Sequence, residues 1–482
     1  MYRRVYTWVV PRSFFLPALL LFGCSSAARR GDTVILASGA DLQSANPLLT
    51  THPLARQVQR HALLVTLIRL DSALAPVPYF AREWNWSSDR TELSFRTGPA
   101  TLAWHDGVPT TARDAAWTIE AARAVETGYP RRAELEQLRE VAAPDDSTLV
   151  LRFDRPQPGV PDLLADLAIL PRHHFADIPL GELRRAEWNR NPVGNGPYRF
   201  GRHEPNRRWV FSANAAFPAE LGGPPLLDRL VIAVVDEPTT KLAALTAGEL
   251  DLAGISPAHA EFVKRDRRLT VLDYPVLFSY ALIFNTRRPP FDRLEARRAV
   301  AAAIDRNALV EGVLFGYGTA STHPVPPGLA PAAEPEEAAE PPAPLPPGME
   351  FELLTVGSGE AALEQLLQAQ LAAAGIRVRI RQLELSTFLD RVEGPGAEFA
   401  AAVTGVPADL ALGYLVRVAG LAGLPAPPAR DRLVDHFLDS LPATFLYHAR
   451  GVQGMNRRVK GVRMDVRGEL VTLSRWEIRD ER

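Results

Sequence analysis

The sequence predicts an α/β fold, because strand patterns and helix patterns alternate along most of its length. The clearest unit is a strand at residues 350–356, a helix at 361–374 and a strand at 376–382. Gly375 provides the end of that helix. Two strands joined by a helix pair in parallel through a right-handed crossover. The order of these elements therefore indicates a sheet that contains parallel strands.

Other helices and strands are predicted on both sides of this unit. Residues 112–127 form the clearest helix, because Thr111 can cap its first turn and Gly128 can end it. Apolar residues at helical spacing predict a helix at 54–68 and one long helix at 294–312. Further patterns predict a helix at 239–247, strands at 33–37, 92–96, 147–153, 207–212, 230–235 and 280–285, and edge strands within 461–477.

The composition indicates a soluble protein of two or three domains with one internal linker. The chain has 482 residues, of which 46% are hydrophobic and 23% are charged. Its formal net charge is −2, so we expect no nucleic acid partner. Residues 329–348 are rich in proline, alanine and glutamate and lack apolar periodicity, which predicts a semi-extended linker.

The start of the chain has the pattern of an export signal. An arginine-containing start is followed by an apolar run at residues 13–23, which is shorter than the roughly 20 residues that a membrane-spanning helix needs. Leu21-Phe-Gly-Cys24 is similar to a bacterial lipobox, in which the cysteine is lipidated and becomes the mature N-terminus. We therefore expect a signal peptide at 1–23, lipidation of Cys24, a tether at 24–31 and an extracytoplasmic, lipid-anchored protein. An ordinary signal peptide is the alternative.

The sequence carries few candidates for metal, cofactor or catalytic chemistry. A lone cysteine excludes thiolate zinc clusters and CxxC redox motifs. His173 and His174 are adjacent, and on a strand they would point to opposite faces, so we expect no metal site. The turn at 194–198 lacks the third glycine of a dinucleotide-binding loop, and no cofactor is expected. A Ser/His/Asp triad is assembled in space, so a hydrolase stays open as an alternative.

Four motifs follow one another along the chain and carry a family resemblance. Trp104-His-Asp-Gly-Val-Pro precedes the first predicted long helix, and residues 191–198 read Asn-Pro-Val-Gly-Asn-Gly-Pro-Tyr. Residues 245–252 read Leu-Thr-Ala-Gly-Glu-Leu-Asp-Leu, and 281–306 contains Ala-Leu-Ile-Phe-Asn, Pro-Phe-Asp and Ala-Ile-Asp-Arg. In this order they resemble motifs of the extracytoplasmic solute-binding proteins of the oligopeptide/dipeptide/nickel class, solute-binding protein family 5, which are receptors of ABC importers.

Residues within these motifs also have local structural interpretations. Asp106 followed by glycine predicts a turn, and Gly194 and Gly196 predict a tight turn. Asp305 and Arg306 are expected to cap a helix and to form ion pairs. The motifs therefore identify the family without locating the ligand.

The resemblance implies a two-lobed periplasmic-binding-protein-like fold of type II, in which hinge closure encloses the solute. Lobe I would comprise residues 32–275, with 452–482 returning to it. Lobe II would comprise 276–451 and contain the linker. Because the segment between Asp409 and Leu446 is short, we expect lobe II to be smaller than is usual in the family.

The resemblance also implies a function and a set of ligand-binding residues. We expect a monomeric receptor that delivers a peptide or a similar small solute to an ABC permease. Asn46, Phe278, Tyr280 and Asn285 are the candidate ligand contacts, and Asp409 is the acid that matches the family's partner for a peptide ammonium. A degenerate member that acts as an envelope interaction lipoprotein without transport is the first alternative, and a hydrolase is the second.

Overall fold

The computed structural model describes residues 32–329, 348–357, 359, 361–393, 397–410, 412–425 and 432–479. Within them, strands and helices alternate along the chain. The strands are β1 (Thr33–Ser38), β2 (Ile68–Leu70), β3 (Pro76–Pro78), β4 (Ala81–Trp86), β5 (Glu92–Thr97), β6 (Leu138–Ala142), β7 (Thr148–Phe153), β8 (Tyr198–Glu204), β9 (Arg208–Ala213), β10 (Arg229–Val234), β11 (Leu252–Gly254), β12 (Leu269–Phe284), β13 (Gly318–Ala320), β14 (Glu350–Val356), β15 (Arg377–Leu383), β16 (Ala401–Pro407), β17 (Ala443–Asn456), β18 (Val459–Lys460) and β19 (Glu477–Ile478). The helices are α1 (Pro53–Val58), α2 (Ala112–Arg123), α3 (Arg172–Phe175), α4 (Pro238–Thr246), α5 (Ala260–Arg265), α6 (Leu294–Ala302), α7 (Arg306–Leu314), α8 (Ala362–Ala373), α9 (Leu385–Glu393), α10 (Gly413–Ala422) and α11 (Leu433–Ser440).

Several sequence predictions lie outside the described residues. These are the signal peptide at 1–23, Cys24, the tether at 24–31 and all of the linker except its two ends, Leu329 and Gly348. Within the part of the chain that the structure describes, no helix is both long enough and apolar enough to cross a bilayer.

Eleven strands form one sheet that continues through both lobes. Its order is β15-β14-β16-β12-β17-β11-β1-β10-β9-β8, and β13 pairs with β17. The strands from β11 to β8 belong to lobe I, and those from β15 to β16 belong to lobe II. A separate four-stranded sheet, β4-β5-β7-β6, lies in lobe I. The long strands β12 and β17 lie side by side between the two halves.

Lobe I is built around one large core that combines its half of the main sheet with the four-stranded sheet. β1 pairs in parallel with β10 and β11, and its Val34 and Leu36 are fully buried. A near-continuous apolar run is expected for a strand that is covered on both faces. Trp476, near the end of the chain, is also fully buried in this core, so the final segment returns to lobe I.

Lobe II has three layers, with helices on both faces of its half of the sheet. One core contains residues of α6, α7 and α8 packed on one face, including Val300, Leu309 and Leu367. A second core contains residues of α9, α10 and α11, including Phe388 and Tyr414. The sheet separates the two cores, which explains why β14 and β16 consist mainly of apolar residues.

β12 and β17 carry the described chain between the two lobes, and their pairing changes register on the way. The ladder runs from Leu269 opposite Asn456 to Pro275 opposite Arg450, and it resumes with Ser279 opposite His448. Four residues of β12 therefore correspond to two residues of β17 at this point. Just beyond the shift, Ser279 Oγ and His448 Nδ1 lie 2.7 Å apart. This contact joins the two strands where the backbone ladder is interrupted.

Several local predictions are confirmed. β14, α8 and β15 form the expected strand-helix-strand unit, and the two strands are parallel. Thr111 and Asp114 form the expected capping box at the start of α2, but α2 ends at Arg123, and Gly128, with φ +64°, ends a separate 3-10 turn at Val125–Thr127. Asp305 accepts a hydrogen bond of 3.0 Å from the Ala308 amide, as expected of a helix cap.

Other local predictions are wrong. The helix expected at 294–312 is two helices, because the cap at Asp305 begins α7 as a separate element. The helix expected at 54–68 ends with a π-helical turn at Gln59–Leu63. The segment 461–477 consists of turns and a short 3-10 helix, with only its last residue in β19. The histidines of α3, His173 and His174, lie in a one-turn helix and not on a strand.

Gly194 and Gly196, which were predicted only to form a tight turn, also allow close packing against another segment. A Cβ atom on Gly194 would lie 2.0 Å from the Leu63 carbonyl oxygen, and one on Gly196 would lie 2.4 Å from that of Ala62. The amides of Asn195 and Gly196 donate to the Leu63 carbonyl oxygen at 3.1 and 2.9 Å. The two glycines therefore allow this loop to bond directly to the end of the π-helical turn.

We expect Gly194→Ala to destabilise lobe I, because the added methyl group would overlap backbone atoms that cannot move independently. Overpacking of this kind costs about 1–3 kcal/mol or more. Urea unfolding of the purified protein measures the change. Gly159→Ala is the matched control, since a Cβ there meets no atom within 4 Å, and it should change the free energy of unfolding by less than about 0.5 kcal/mol. Equal losses in the two variants would contradict the close approach at Gly194.

His448 makes the stability of the lobe connection depend on pH. Burial lowers the pKa of His448 to about 4, from an ordinary value of 6.5. Between these values the unfolded chain binds a proton that the folded chain does not bind. The free energy of unfolding therefore decreases as the pH falls from about 6.5 to about 4. Burial also lowers the pKa of His105 to about 4, so the decrease has more than one source.

We expect His448→Asn to reduce this acid-induced loss, because asparagine does not titrate and can still accept a hydrogen bond from Ser279. Between pH 7 and pH 4 the variant should lose about 1–3 kcal/mol less than the wild type, from the size of the pKa shift. Urea unfolding at several pH values gives the comparison. Above pH 7 the two stability curves should run parallel. Identical losses down to pH 4 would show that His448 is not held neutral in the folded protein.

Candidate ligand-binding cleft

Three parallel strands of lobe I end at one edge of the main sheet. β1 ends at Ser38, β10 at Val234 and β11 at Gly254. β17 arrives from lobe II and pairs antiparallel with β11, with Gln453 opposite Gly254. The carboxyl ends of the lobe I strands therefore face lobe II.

The parallel strands of lobe II end at an edge that faces lobe I. β14, β15 and β16 end at Val356, Leu383 and Pro407. β12 arrives from lobe I and pairs antiparallel with β16, with Phe278 opposite Pro407. Two sets of strand ends thus face each other across the two connecting strands. Crevices outside the carboxyl ends of parallel strands are the usual ligand sites of open α/β sheets.

An aromatic group lies at the lobe II edge of this cleft. The rings of Phe278 and Tyr280 are 5.7 Å apart at an angle of 74°, and those of Tyr280 and Tyr447 are 5.1 Å apart. Phe278 lies over Gly405, where a Cβ atom would come within 2.4 Å of the ring. Phe278 and Tyr280 are half-buried, whereas Tyr447 is buried. The structure thus brings together two of the predicted residues and adds Tyr447, which sequence reasoning missed.

Glu364 is a buried carboxylate beside the aromatic group, and sequence reasoning missed it as well. It is 9% exposed and accepts a hydrogen bond of 2.5 Å from Thr355 Oγ1. Burial raises the pKa of Tyr280 and of Tyr447, and the negative charge of Glu364 raises both further. Among the described residues, no lysine, arginine or histidine forms an ion pair with Glu364.

Lys241 brings a positive charge to the lobe I edge of the cleft. It lies in the second turn of α4, which follows the end of β10. Its ammonium nitrogen is 3.4 Å from the position that a Cβ atom of Gly39 would occupy, and Gly39 follows the end of β1. No carboxylate of the described segments forms an ion pair with Lys241. Lys241 and Glu364 are therefore groups of opposite charge on the two opposing edges.

Asp409 lies at the lobe II edge but already has partners. Its carboxylate accepts hydrogen bonds from the amides of Gly413 and Tyr414, at 2.8 and 2.9 Å, at the start of α10. Arg417 is 3.4 Å away and balances its charge. α10 packs on the face of the sheet opposite α8, so Asp409 and Glu364 lie on different faces. Recognition of a ligand ammonium by Asp409 stays a prediction.

The structure does not bring Asn46 and Asn285 to the aromatic group. Asn285 follows the far end of β12, about 23 Å of strand from Phe278. It is fully buried and donates to two backbone carbonyl groups of segment 397–399. Asn46 is fully buried in lobe I and donates to Asn189 Oδ1 at 3.1 Å. Both amides serve internal contacts, and their ligand roles stay predictions.

Solved structures share this fold over nearly the whole chain. The ABC transporter substrate-binding protein CtaP from Listeria monocytogenes aligns with a TM-score of 0.81 and 16% identity, covering 93% of this chain and 100% of that one. The oligopeptide-binding protein AppA from Bacillus subtilis, in complex with a nonapeptide, aligns with a TM-score of 0.71 and 19% identity, covering 93% and 99%. At such identities the likeness shows the fold, which is the expected two-lobed fold of type II.

Sequence comparisons give the family. A Brucella ovis protein, whose name describes an ABC transporter peptide-binding protein, is 30% identical over 237 residues, which are 49% of this chain and 44% of that protein. This chain thus spans less than half the length of that relative. The dipeptide-binding protein of Escherichia coli is 23% identical over 324 residues, 63% of this chain and 60% of that one. The family model described as bacterial extracellular solute-binding proteins, family 5 Middle, matches residues 75–414, so the chain belongs to this family.

Proposed function

We propose that this chain is the extracytoplasmic solute receptor of an ABC importer and that it binds a peptide or a similar zwitterionic solute between its lobes. The observation that carries the proposal is the pair of opposing sheet edges, which place Lys241 on lobe I and Glu364 on lobe II. A zwitterion presents one group of each sign. The names of relatives from Brucella ovis and Escherichia coli, which describe peptide-binding proteins, support the same solute class.

The connection between the lobes suits hinge closure. Two strands join them, and their pairing is interrupted between Pro275 and Ser279. Proline has no amide hydrogen to donate to the ladder, so the interruption leaves fewer hydrogen bonds to strain when the lobes rotate. We infer that the lobes rotate about this point and enclose the solute against Phe278 and Tyr280.

The charge balance of the two candidate acids favours Glu364 over Asp409 as the partner of a ligand ammonium. Burying an ammonium requires a carboxylate whose charge is not already compensated. Asp409 is bonded to two helix amides and to Arg417. Among the described residues, Glu364 has only the hydroxyl of Thr355 as a side-chain hydrogen-bond partner, and it lies beside Tyr280. Glu364 therefore has the stronger electrostatic reason to bind a cation.

The first alternative is a degenerate family member that acts as an envelope interaction lipoprotein. The short segment between Asp409 and Leu446 motivates it, because a smaller lobe II offers less surface to a solute. Denaturing the purified protein and identifying the released molecules by mass spectrometry tests the difference. Release of peptides supports the receptor, whereas absence of any bound solute, together with no compaction on adding a peptide mixture, would favour the degenerate member.

The second alternative, a hydrolase, has weaker support. Ser279 Oγ contacts His448 Nδ1, which is the kind of pair that a serine hydrolase uses. However, Ser279 is fully buried, so a substrate carbonyl cannot reach it in this conformation. Among the described residues no carboxylate forms a hydrogen bond with His448, so none orients its ring. The contact is better explained as a link between β12 and β17.

We expect Glu364→Gln to weaken binding of the recovered peptide by about two orders of magnitude or more. Loss of one partner from a buried ion pair typically costs about 3–5 kcal/mol, and each 1.4 kcal/mol is roughly tenfold. Calorimetry gives the affinity, and an N-acetylated form of the same peptide is the control, since it has no ammonium and should bind wild type and variant alike.

Asp409→Asn is the matched comparison in the same experiment. Asparagine keeps one of the two acceptor oxygens at the start of α10, and the charge it removes is already paired with Arg417, so the affinity should fall by less than tenfold. Circular dichroism shows whether both variants fold. A larger loss of affinity in Asp409→Asn than in Glu364→Gln would indicate that Asp409, the acid predicted from the sequence, binds the ligand ammonium.

We further propose that Cys24 carries a lipid anchor on the periplasmic side of a bacterial membrane. Two or more acyl chains are enough for stable attachment. We expect Cys24→Ser to move the protein from the membrane fraction to the soluble fraction or to leave it uncleaved, whereas Ser25→Ala should remain membrane-bound. Mature-sized Cys24→Ser protein in the membrane fraction, seen by fractionation and mass spectrometry, would refute the lipid anchor.

A further inference from the structure

Asp106, His173 and His174 form a cluster of metal-ligating side chains on lobe I. The Nε2 atoms of the two histidines lie 2.8 and 2.9 Å from the same oxygen, Asp106 Oδ2. The three potential ligand atoms are all within 4.8 Å of one another. Each side chain is about one-third exposed, with values of 30%, 30% and 35%. The cluster is therefore convergent and reachable from solvent.

A turn fixes the position of Asp106. The Gly107 amide donates to the Trp104 carbonyl oxygen at 2.8 Å, and Gly107 has a left-handed φ of +95°, which favours glycine. Asp106 Oδ1 accepts a hydrogen bond of 3.2 Å from the Val108 amide. The second carboxylate oxygen, Oδ2, is left to face the two imidazoles. Trp104 itself is 2% exposed, so the turn is anchored in the core.

Packing also fixes the helix that carries the two histidines. Phe175, in the same turn of α3, is fully buried, with its ring stacked on Trp117 at 5.4 Å and in contact with Trp188 at 5.3 Å. The Arg172 amide donates to Asp114 Oδ1 at 2.9 Å. The helical backbone turns both imidazoles toward Asp106, which a strand would not do. Both sides of the cluster thus rest on buried aromatic residues.

The ligand types and spacing match a transition-metal site. Imidazole nitrogen and carboxylate oxygen bind Zn²⁺ at about 2.0–2.2 Å, so ligand atoms that share one ion lie roughly 3.0–3.4 Å apart. The observed separations of 2.8 and 2.9 Å would have to grow by only a few tenths of an ångström. Imidazole selects Zn²⁺, Ni²⁺, Co²⁺ or Cu²⁺ over Mg²⁺ and Ca²⁺. We propose that Asp106, His173 and His174 bind one divalent transition-metal ion, with water in the remaining coordination positions.

Metal binding would change the hydrogen bonding within the cluster. Binding would require both imidazoles to turn a lone pair toward the ion in place of an N–H group.

Metal binding would join two segments that are distant in sequence. Asp106 precedes the start of α2, whereas the histidines belong to α3. A ligand that binds only the folded chain stabilises it in proportion to the logarithm of its concentration over its dissociation constant. The site uses no residue of the proposed cleft, so its test is independent of the solute.

The test uses the untagged protein after removal of metal by a chelator. Calorimetry with ZnCl₂ and, separately, NiCl₂ should show one ion per chain, and added ZnCl₂ should raise the melting temperature. His173→Gln and His174→Gln each remove one ligand, so each should lower the affinity by at least the roughly 10–100-fold that loss of a supporting group costs. Asp106→Asn should do the same through loss of the anionic ligand.

His203→Gln is the matched control. His203 Nε2 lies 2.9 Å from Asp41 Oδ2, which gives the same type of pair without a second imidazole, and its loss should leave the affinity unchanged. Circular dichroism and melting of the metal-free variants show whether they fold. The proposal fails if the wild type binds neither ion in a one-to-one ratio, or if the folded variants bind as tightly as the wild type. The three residues would then form a hydrogen-bonded cluster only.

Discussion

The paired strands β12 and β17 determine how the two halves of the main sheet are arranged. The described chain passes from lobe I to lobe II along β12 and returns along β17. Their antiparallel pairing with β11 and β16 fixes which sheet edges face each other. β11 runs parallel to β1 in lobe I, and β16 runs parallel to β14 in lobe II. The carboxyl ends of the two sets of strands therefore face each other across the cleft. The position of the candidate cleft is therefore a consequence of topology, and the pairing of the two strands is interrupted beside Pro275, where we proposed the hinge.

Glu364 differs from two acids of lobe I in how its charge is compensated. Asp166 in lobe I is paired with three arginines, which lower its pKa to about 2 although burial raises it. Asp251, which is fully buried, is paired with Arg458. The charges of both carboxylates are thus balanced by arginines. Glu364 is 9% exposed and has no cationic partner among the described residues. Burying a carboxylate without a cationic partner is costly, and this cost is the basis for proposing Glu364 as the partner of a ligand ammonium.

The sequence was enough to predict the α/β class, the strand-helix-strand unit around α8 and the aromatic residues of β12, because these depend on local periodicity and on motifs. It did not indicate Glu364, which only the structure adds as a candidate ligand contact. The available signal was a charge at a position that shares the buried face of α8 with Leu367 and Leu371. Without knowing which face of α8 packs on the sheet, this acid cannot be distinguished from an ordinary acid on the surface of a helix. The break at Asp305 was missed for the same reason, since apolar spacing continues across it.

The motifs that identify the family serve packing more than binding, and this explains why they did not locate the ligand. Gly194 and Gly196 permit contact with the backbone near Leu63, and Asn285 bonds to carbonyl groups inside lobe II. The groups with uncompensated charge, Lys241 and Glu364, lie outside these motif cores. Substitutions there would leave the core contacts intact, so one scaffold can change its solute without changing its fold. The cluster at Asp106 is the exception, because the turn that carries this family motif also presents a carboxylate to two histidines. Whether such a carboxylate can help to bind a metal ion depends on which side chains α3 places next to it.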